Sequence, residues 1–260
     1  MVNYYELLEI SSDATSDEIK RAFRRRAKHI HPDLGNNSEG ALERMRDLLK
    51  AYEVLMDPYK REVYNTQHRA IFGVSNFDYR EFLKERTQDH QSQSKLIFFD
   101  LLHHREQDAL RLYETLVEQK NFDLSKHLDR EDFMDCAFLL AEEFEQEENF
   151  ESAFNLLKVI AEYELEKPYF KHFFEEVLVR LRNLINAVSG KLSFATQVDY
   201  IEELLSLGIS PKENAFYLKK LSELYASEHD RSRAQYYLKE ALKLDNSLSG
   251  IKKLKQSLGI

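Results

Sequence analysis

Residues that break regular structure are scarce in this sequence, since its 260 residues include only 7 glycines and 4 prolines. Hydrophobic residues make up 43% and charged residues 32%, a balance that can form a core and does not indicate intrinsic disorder. A chain that is rich in Leu, Glu, Lys and Ala and poor in breakers is typical of an all-α fold. We therefore predict a helical protein of one large or two small domains.

Cysteine is also scarce, because Cys136 is the only one. A disulfide framework and a cysteine-based zinc site are thereby excluded. Cys136 lies among Phe133, Ala137 and Leu140 in the sequence, which favours buried packing over nucleophilic catalysis. No glycine-rich phosphate loop occurs, and His103-His104 are adjacent and not four residues apart. The sequence thus predicts no metal, no cofactor and no enzymatic activity.

Long apolar runs are missing as well, because no window approaches the roughly 18 uncharged apolar residues of a membrane-spanning helix. The segment MVNYYELLEISSD lacks the basic-then-apolar layout of a signal peptide, so a cytoplasmic protein is expected. The net charge is −9, yet residues 1–70 contain 12 basic and 12 acidic residues. All of the acidic excess therefore belongs to residues 71–260. This asymmetry predicts two modules with different partners.

The first seventy residues have the pattern of a small helical domain. Thr15 and Glu18 have the spacing of a capping box, which predicts a helix from there to about Ile30. Pro32 ends that helix, and a second one is predicted from about Ser38 to Met56. A short helix over Tyr4 to Leu8 precedes them, and another follows from Tyr59 to about His68. The apolar positions predicted to form the core are Tyr5, Leu8, Ile19, Phe23, Leu49, Tyr52 and Leu55.

Three segments of this region carry a family resemblance: NYYELLEI, DEIKRAFRRRAKHIHPD and LLKAYEVLMDPYKREVY. Over residues 3 to about 68 they resemble the J-domain of the DnaJ/Hsp40 family. The resemblance implies a four-helix domain that docks on an Hsp70 chaperone and triggers its ATP hydrolysis. Phe23 departs from the family pattern, because many members have tyrosine there. The Hsp70-binding residues that the resemblance implies are His31, Pro32, Asp33, Lys20, Arg21, Arg24 and Arg25.

These basic and turn residues also admit other interpretations. The tripeptide His31-Pro32-Asp33 could be a plain helix stop, as any residue before proline can be. The basic run could be a solvated helix face. A nucleic-acid surface is not expected, because such domains usually carry an overall basic excess and residues 1–70 are neutral.

The rest of the chain lacks the Gly/Phe-rich, zinc-binding and β-rich segments of longer DnaJ-like proteins, so it resembles the third, heterogeneous class of J-proteins. Residues 71–94 are predicted to be a connecting segment, with QDHQSQS as its most solvent-facing stretch. Residues 95–260 resemble a degenerate tetratricopeptide-like array of helical hairpins, capped by a helix over Leu248 to Leu258. An irregular helical bundle is the alternative. The predicted repeat-packing residues are Ala137, Leu140, Phe144, Ala153, Leu157, Leu221, Tyr225, Ala234, Leu238 and Ala241.

Internal spacing supports the repeat interpretation. Ala109, Ala153 and Gln197 are 44 residues apart each time, and their apolar neighbours correspond. The leading hypothesis is an Hsp70 co-chaperone whose J-domain stimulates ATP hydrolysis while the helical array recruits a client or partner protein. The alternative is a helical-repeat scaffold with a vestigial J-domain.

Overall fold

The computed structural model describes residues 2–30, 39–72, 77–119, 122–168 and 171–260. Those residues form α-helices and a short 3₁₀ helix, with no strand among them, which confirms the predicted all-α class. The chain folds into two compact units, Met1–Cys136 and Ala137–Ile260. The predicted division into 1–70, 71–94 and 95–260 stays a prediction.

The first unit begins with four helices and continues with three more, a 3₁₀ helix and the start of an eighth. They are α1 Tyr4–Leu8, α2 Ser16–Ile30, α3 Glu39–Met56, α4 Pro58–Phe72, α5 Tyr79–Lys84, α6 His90–Leu102, α7 Glu106–Val117, the 3₁₀ helix Leu124–Lys126 and α8 Arg130–Gln146. The division between the two units falls within α8. The second unit continues with α9 Phe150–Glu166, α10 Lys171–Ala187, α11 Phe194–Ser206, α12 Pro211–Ser227, α13 Arg231–Leu244 and α14 Lys252–Leu258.

Local capping explains where the first helices begin. The Glu18 backbone N–H donates to Thr15 Oγ1 at 3.3 Å, and the Thr15 N–H donates to Glu18 Oε2 at 2.6 Å, so the predicted capping box is present. Asp57 Oδ1 accepts from the Tyr59 and Lys60 N–H groups, with Pro58 in the first turn of α4. α4 ends at Phe72, beyond the predicted His68.

The core of the N-terminal helices follows the predicted stripes except at one position. Tyr5, Leu8, Ile19 and Leu55 are buried, while Phe23 and Tyr52 are half-buried and stack on each other with their ring centroids 4.3 Å apart. Leu49 was wrongly assigned to the core, since it is 50% exposed. Leu48, Ala51 and Leu55 form the buried face instead, at i, i+3 and i+7. Leu49 lies about 100° around the helix from Leu48 and therefore faces outward.

The predicted connecting segment contributes to this same core. Phe77, Tyr79 and Leu83 are buried in one cluster with Tyr5 and Leu8. The Ser12 N–H donates to the Phe77 carbonyl at 2.6 Å, and the Tyr79 N–H donates to Ser11 Oγ at 2.9 Å. Helix α5 is therefore held against the loop between α1 and α2 by backbone hydrogen bonds as well as by apolar contact.

The prediction that QDHQSQS faces solvent was wrong for its last three residues. Ser92, Gln93 and Ser94 are buried in the first turns of α6. Gln93 Nε2 donates to the carbonyls of Leu83 and Arg86 at 2.9 and 3.0 Å, so this polar side chain satisfies backbone groups at the end of α5. The buried polar side chain of Gln93 thus serves internal hydrogen bonds.

In the second unit, helices that are neighbours in sequence pack in pairs: α9 with α10, α10 with α11, α11 with α12, and α12 with α13. All ten predicted repeat-packing residues are buried. Helices α7, α9 and α11 begin at Glu106, Phe150 and Phe194, which preserves the 44-residue spacing seen in the sequence. Whether the array is a true tetratricopeptide repeat stays a prediction.

The terminal helix is shorter than predicted. It begins at Lys252 rather than near Leu248, because residues 245–251 form turns and Gly250 adopts a positive φ of 72°. Its last turn is held at the Leu258 carbonyl, which accepts from Arg231 Nη2 at 2.9 Å and from Gln235 Nε2 at 2.7 Å.

Candidate functional site

The outer face of α2 is the first candidate surface. Ile19 and Ala22 are buried on its inner face, and Phe23 stacks on α3. This orientation leaves Arg21 and Arg24 exposed. Neither guanidinium forms an ion pair with a side chain that the structure describes. Their exposure places both arginines where an external anionic surface can reach them.

Two further residues of the predicted basic set are placed differently. Lys20 is half-buried. Arg25 is directed inward, and its Nη2 donates to Glu9 Oε2 at 3.1 Å. Its guanidinium carbon also lies 5.7 Å from the ring centroid of Phe98 on α6. The basic residues of α2 thus do not form one exposed set.

Glu9 is the centre of a compact charged cluster that the sequence analysis missed. This residue caps the C-terminus of α1 in the left-handed conformation, with φ at 59°, and only 7% of it is exposed. Besides Arg25, its carboxylate contacts Arg26 Nη1 at 3.3 Å and Lys95 Nζ at 2.7 Å. Burial alone would raise the pKa of Glu9, but the charges of Arg26, Lys95 and Arg25 together hold that pKa below its ordinary value.

Helix α4 fixes the start of α2 through Arg61. The Arg61 Nη2 donates to the carbonyls of Ser12 and Ala14 at 2.9 and 2.8 Å, which are the residues immediately before the capping box. Its Nε donates to the Tyr5 hydroxyl at 3.1 Å, and that hydroxyl donates to Asn65 Oδ1 at 2.6 Å. The segment KREVY was part of the sequence resemblance, but its positioning role depends on these long-range contacts.

The tripeptide His31, Pro32 and Asp33 lies outside the described residues. In the sequence it falls between the end of α2 at Ile30 and the start of α3 at Glu39. Its predicted role therefore stays a prediction.

A second candidate surface is a groove between α8 and α10 in the second unit, with a volume of about 540 Å³. Phe138 lies in it, with the Phe173 ring centroid 5.3 Å away and the Arg180 guanidinium carbon 5.2 Å from its own centroid. Arg180 pairs with two of the glutamates of the groove and leaves the other two exposed. Those four glutamates are Glu142, Glu145, Glu175 and Glu176.

The electrostatics of the groove follow from this lining. Burial raises the pKa of Glu145, and the hydrogen bond and charge of Arg180 only partly oppose that rise. With four carboxylates and one guanidinium, the groove is net acidic. A partner segment that carries lysine or arginine is electrostatically complementary to it.

The remaining candidates for chemistry do not form a site among the described residues. Cys136 is fully buried, and burial raises the pKa of its thiol well above the ordinary value. No group of three or more His, Cys, Asp or Glu side chains in the described ranges is arranged to hold a metal ion. Within those ranges, none of the helices combines the length and the apolar character needed to cross a membrane.

Comparison with known proteins finds similarity in the N-terminal helices of the chain. Residues 3–65 match the family model for the DnaJ domain. The chaperone protein DnaJ of Halothermothrix orenii is 39% identical over 80 residues, which are 31% of this chain and 21% of that protein. DnaJ of Thermoplasma acidophilum is 42% identical over 83 residues, or 31% and 23% of the two chains. DnaJ of Staphylococcus aureus strain JH1 is 51% identical over 63 residues, or 24% and 16%.

The N-terminal segment, residues 3–65, is therefore a J-domain. The match extends over about a fifth of the length of the curated relatives. The family-model match ends at residue 65, so it carries no information on the groove or on the second unit.

Proposed function

We propose that this chain is a co-chaperone that stimulates ATP hydrolysis by an Hsp70 through its J-domain and recruits a client through its C-terminal helices. The observation that carries the first part is the exposure of Arg21 and Arg24 on α2. The inner face of this helix is buried, and the helix lies within the residues that match the DnaJ domain. The chain itself performs no bond-making step in this proposal. A cytoplasmic location stays a sequence-based prediction.

The physical role of the basic face is to steer and hold an acidic surface on the Hsp70. Exposed charges speed encounter and set orientation, and their effect falls as salt shortens the Debye length below about 10 Å. Lys20 lies beside this face and contributes to the local positive potential. Because these contacts favour one conformation of the Hsp70 over another, binding shifts its equilibrium toward the hydrolysing state.

The tripeptide supplies the specific signal in this proposal. Asp33 is suited to a charge-assisted hydrogen bond with an arginine of the Hsp70. Pro32 restricts the backbone and lowers the entropy lost on binding. His31 completes the motif that the family resemblance identifies.

The second unit is the part that we assign to client recruitment. What supports this assignment is the acidic groove between α8 and α10, where exposed glutamates lie beside an aromatic ring. Such a groove suits a client segment that carries basic residues and has few acidic ones. A scaffold with a vestigial J-domain remains the second candidate, since the helical unit would be retained in either case.

The test is a single-turnover ATPase assay with a purified Hsp70. We expect His31→Gln to abolish stimulation while circular dichroism stays native. Arg21→Glu with Arg24→Glu is expected to raise the concentration for half-maximal stimulation by roughly tenfold or more, because two attractive charges become repulsive. The matched control is Arg46→Glu with Lys50→Glu, which makes the same charge change at two exposed positions of α3.

Refolding of a denatured model client in the same mixture separates the two parts of the proposal. Glu175→Lys with Glu176→Lys is expected to reduce refolding but to leave ATPase stimulation unchanged. Reversal of Glu162 and Glu166, two exposed glutamates on α9, is the control. A wild-type chain that does not stimulate any Hsp70 would favour the scaffold. Groove variants that refold the client normally would remove the groove from the proposal.

A further inference from the structure

The placement of Arg25 makes the basic face of α2 in this chain different from the face that the family resemblance implies. The resemblance places Arg25 beside Arg24 on one partner-binding surface. In the structure Arg24 is exposed, whereas the Arg25 side chain is only 27% exposed and contacts Glu9. Two of the groups around it, Lys95 and Phe98, lie on α6, which is outside the matched residues 3–65.

We infer that Glu9 and helix α6 hold Arg25 away from the Hsp70, so that the partner-binding face of α2 consists of Arg21 and Arg24. Arg25 is then a positioning residue that ties α2 to the end of α1. Glu9 acts as an internal competitor for its charge. This inference rests on the proposed function for the identity of the partner, but the internal contact itself does not.

The energetics favour the internal contact over an external one. Glu9 is nearly buried, so its attraction for Arg25 is screened less than the attraction of a carboxylate on a solvated partner surface. The Phe98 ring adds a cation–π contact on the guanidinium. To reach a partner, Arg25 would have to give up both the ion pair with Glu9 and the contact with the Phe98 ring.

The same geometry explains why Lys95 belongs to the cluster. Its ammonium donates to Glu9 Oε1 at 2.7 Å, while Arg25 contacts Oε2, so the two cations occupy different oxygens of one carboxylate. Lys95 and Phe98 are three residues apart on α6, and side chains at this spacing project from one helix face. One face of α6 therefore contacts both the Glu9 carboxylate and the Arg25 guanidinium.

The first measurement compares Arg24→Gln with Arg25→Gln in the full chain, by the chain concentration that gives half-maximal Hsp70 stimulation. We expect Arg24→Gln to raise that concentration by about two- to fivefold, the range of one exposed charge pair. Arg25→Gln is expected to change it by less than about 1.5-fold and to leave the maximal rate unaltered. Equal losses in the two variants would overturn the inference, because Arg25 would then contact the partner.

Removal of the internal competitor is expected to change the half-maximal concentration in the opposite direction. Glu9→Gln keeps the shape of the side chain and removes its charge, which frees Arg25 for the partner. We expect the half-maximal concentration to fall by about twofold and its dependence on salt to become steeper. A purely structural role for Glu9 would lower stability without any gain in affinity, and that result would overturn the competitor role.

A double-mutant cycle tests the contact without any Hsp70. Hydrogen exchange of residues 3–65 and thermal melting are measured for Glu9→Gln, Arg25→Gln and the pair, with Arg24→Gln replacing Arg25→Gln as the matched control. We expect the Glu9/Arg25 pair to lose less than the sum of its single losses, while the Glu9/Arg24 pair is additive. Additivity in both pairs would overturn the inference. Coupling in a chain that stimulates no Hsp70 would uphold the contact and reject the proposed function alone.

Discussion

Leu83 lies on α5, outside the matched J-domain residues 3–65. Its side chain is nevertheless only 1% exposed and belongs to the same buried cluster as Tyr5 and Leu8. We predict that Leu83→Ala in the full chain destabilises the N-terminal helices as well as α5. Deletion of a fully buried leucine side chain costs about 2 to 5 kcal/mol, from lost transfer energy and the cavity left behind. Since every 1.4 kcal/mol is a factor of about ten, the opening equilibrium should shift by roughly 30- to 5,000-fold.

The assay is native-state hydrogen exchange read by mass spectrometry, because the two units need not unfold together and one melting curve would mix them. Peptides from α1, α3 and α4 should exchange faster in Leu83→Ala, whereas peptides from α12 and α13 serve as an internal reference. The control variant is Leu102→Ala on α6, where the side chain is 43% exposed. Its cost should stay within about 1 kcal/mol, because little area is lost from the interior.

The two outcomes separate two descriptions of residues 77–102. If they complete the J-domain core, protection is lost in α1, α3 and α4 together with α5. If α5 belongs to an independent connecting segment, as the sequence alone predicted for residues 71–94, Leu83→Ala deprotects α5 and leaves residues 3–65 unchanged. The second result would refute the common core.

Two further predictions concern individual positions in this unit. Leu48→Ala should cost about 2 to 5 kcal/mol and Leu49→Ala at most about 1 kcal/mol, measured by the same exchange experiment; similar losses would contradict the assigned register of α3. Burial lowers the pKa of His68 below its ordinary value of 6.5, so the unfolded chain binds that proton more readily than the folded one. Its stabilising contribution should be complete above about pH 6.5 and decline as pH falls through the folded pKa, a slope that urea titrations between about pH 7.5 and 5 should show and that His68→Phe should reduce. Identical pH profiles for the two proteins would contradict this assignment.

Local features of the J-domain could be read from the sequence because their causes lie within a few residues. The capping pair Thr15 and Glu18 is three residues apart, so its hydrogen bonds form whenever the helix does. The end of α3 at Met56 follows from Asp57-Pro58 for a similarly local reason. Periodicity also indicated the buried face of α2, where Ile19 and Ala22 are spaced three apart.

Other features depended on residues far apart in the chain. Glu9 and Arg25 are 16 residues apart, and Glu9 and Lys95 are 86 apart, so no spacing rule could pair them. The polar stretch at Ser92 to Ser94 was predicted to face solvent, but Gln93 is buried and its side chain donates to the Leu83 and Arg86 carbonyls at and just after the end of α5. Leu48 and Leu49 are both apolar, and only the packing of α3 against its neighbours chooses between them.

The sequence by itself thus determined the first three helices, the capping box of α2 and the presence of a basic J-domain helix, because hydrogen bonds and apolar periodicity along one helix are short-range. Tertiary structure alone decided which cations of that helix stay exposed. Arg24 and Arg25 are adjacent and chemically identical, yet a buried carboxylate at Glu9 and an aromatic ring at Phe98 lie next to only one of them. Charge in a sequence is a property of residues, whereas an available charge depends on what the fold places within a few ångströms of it.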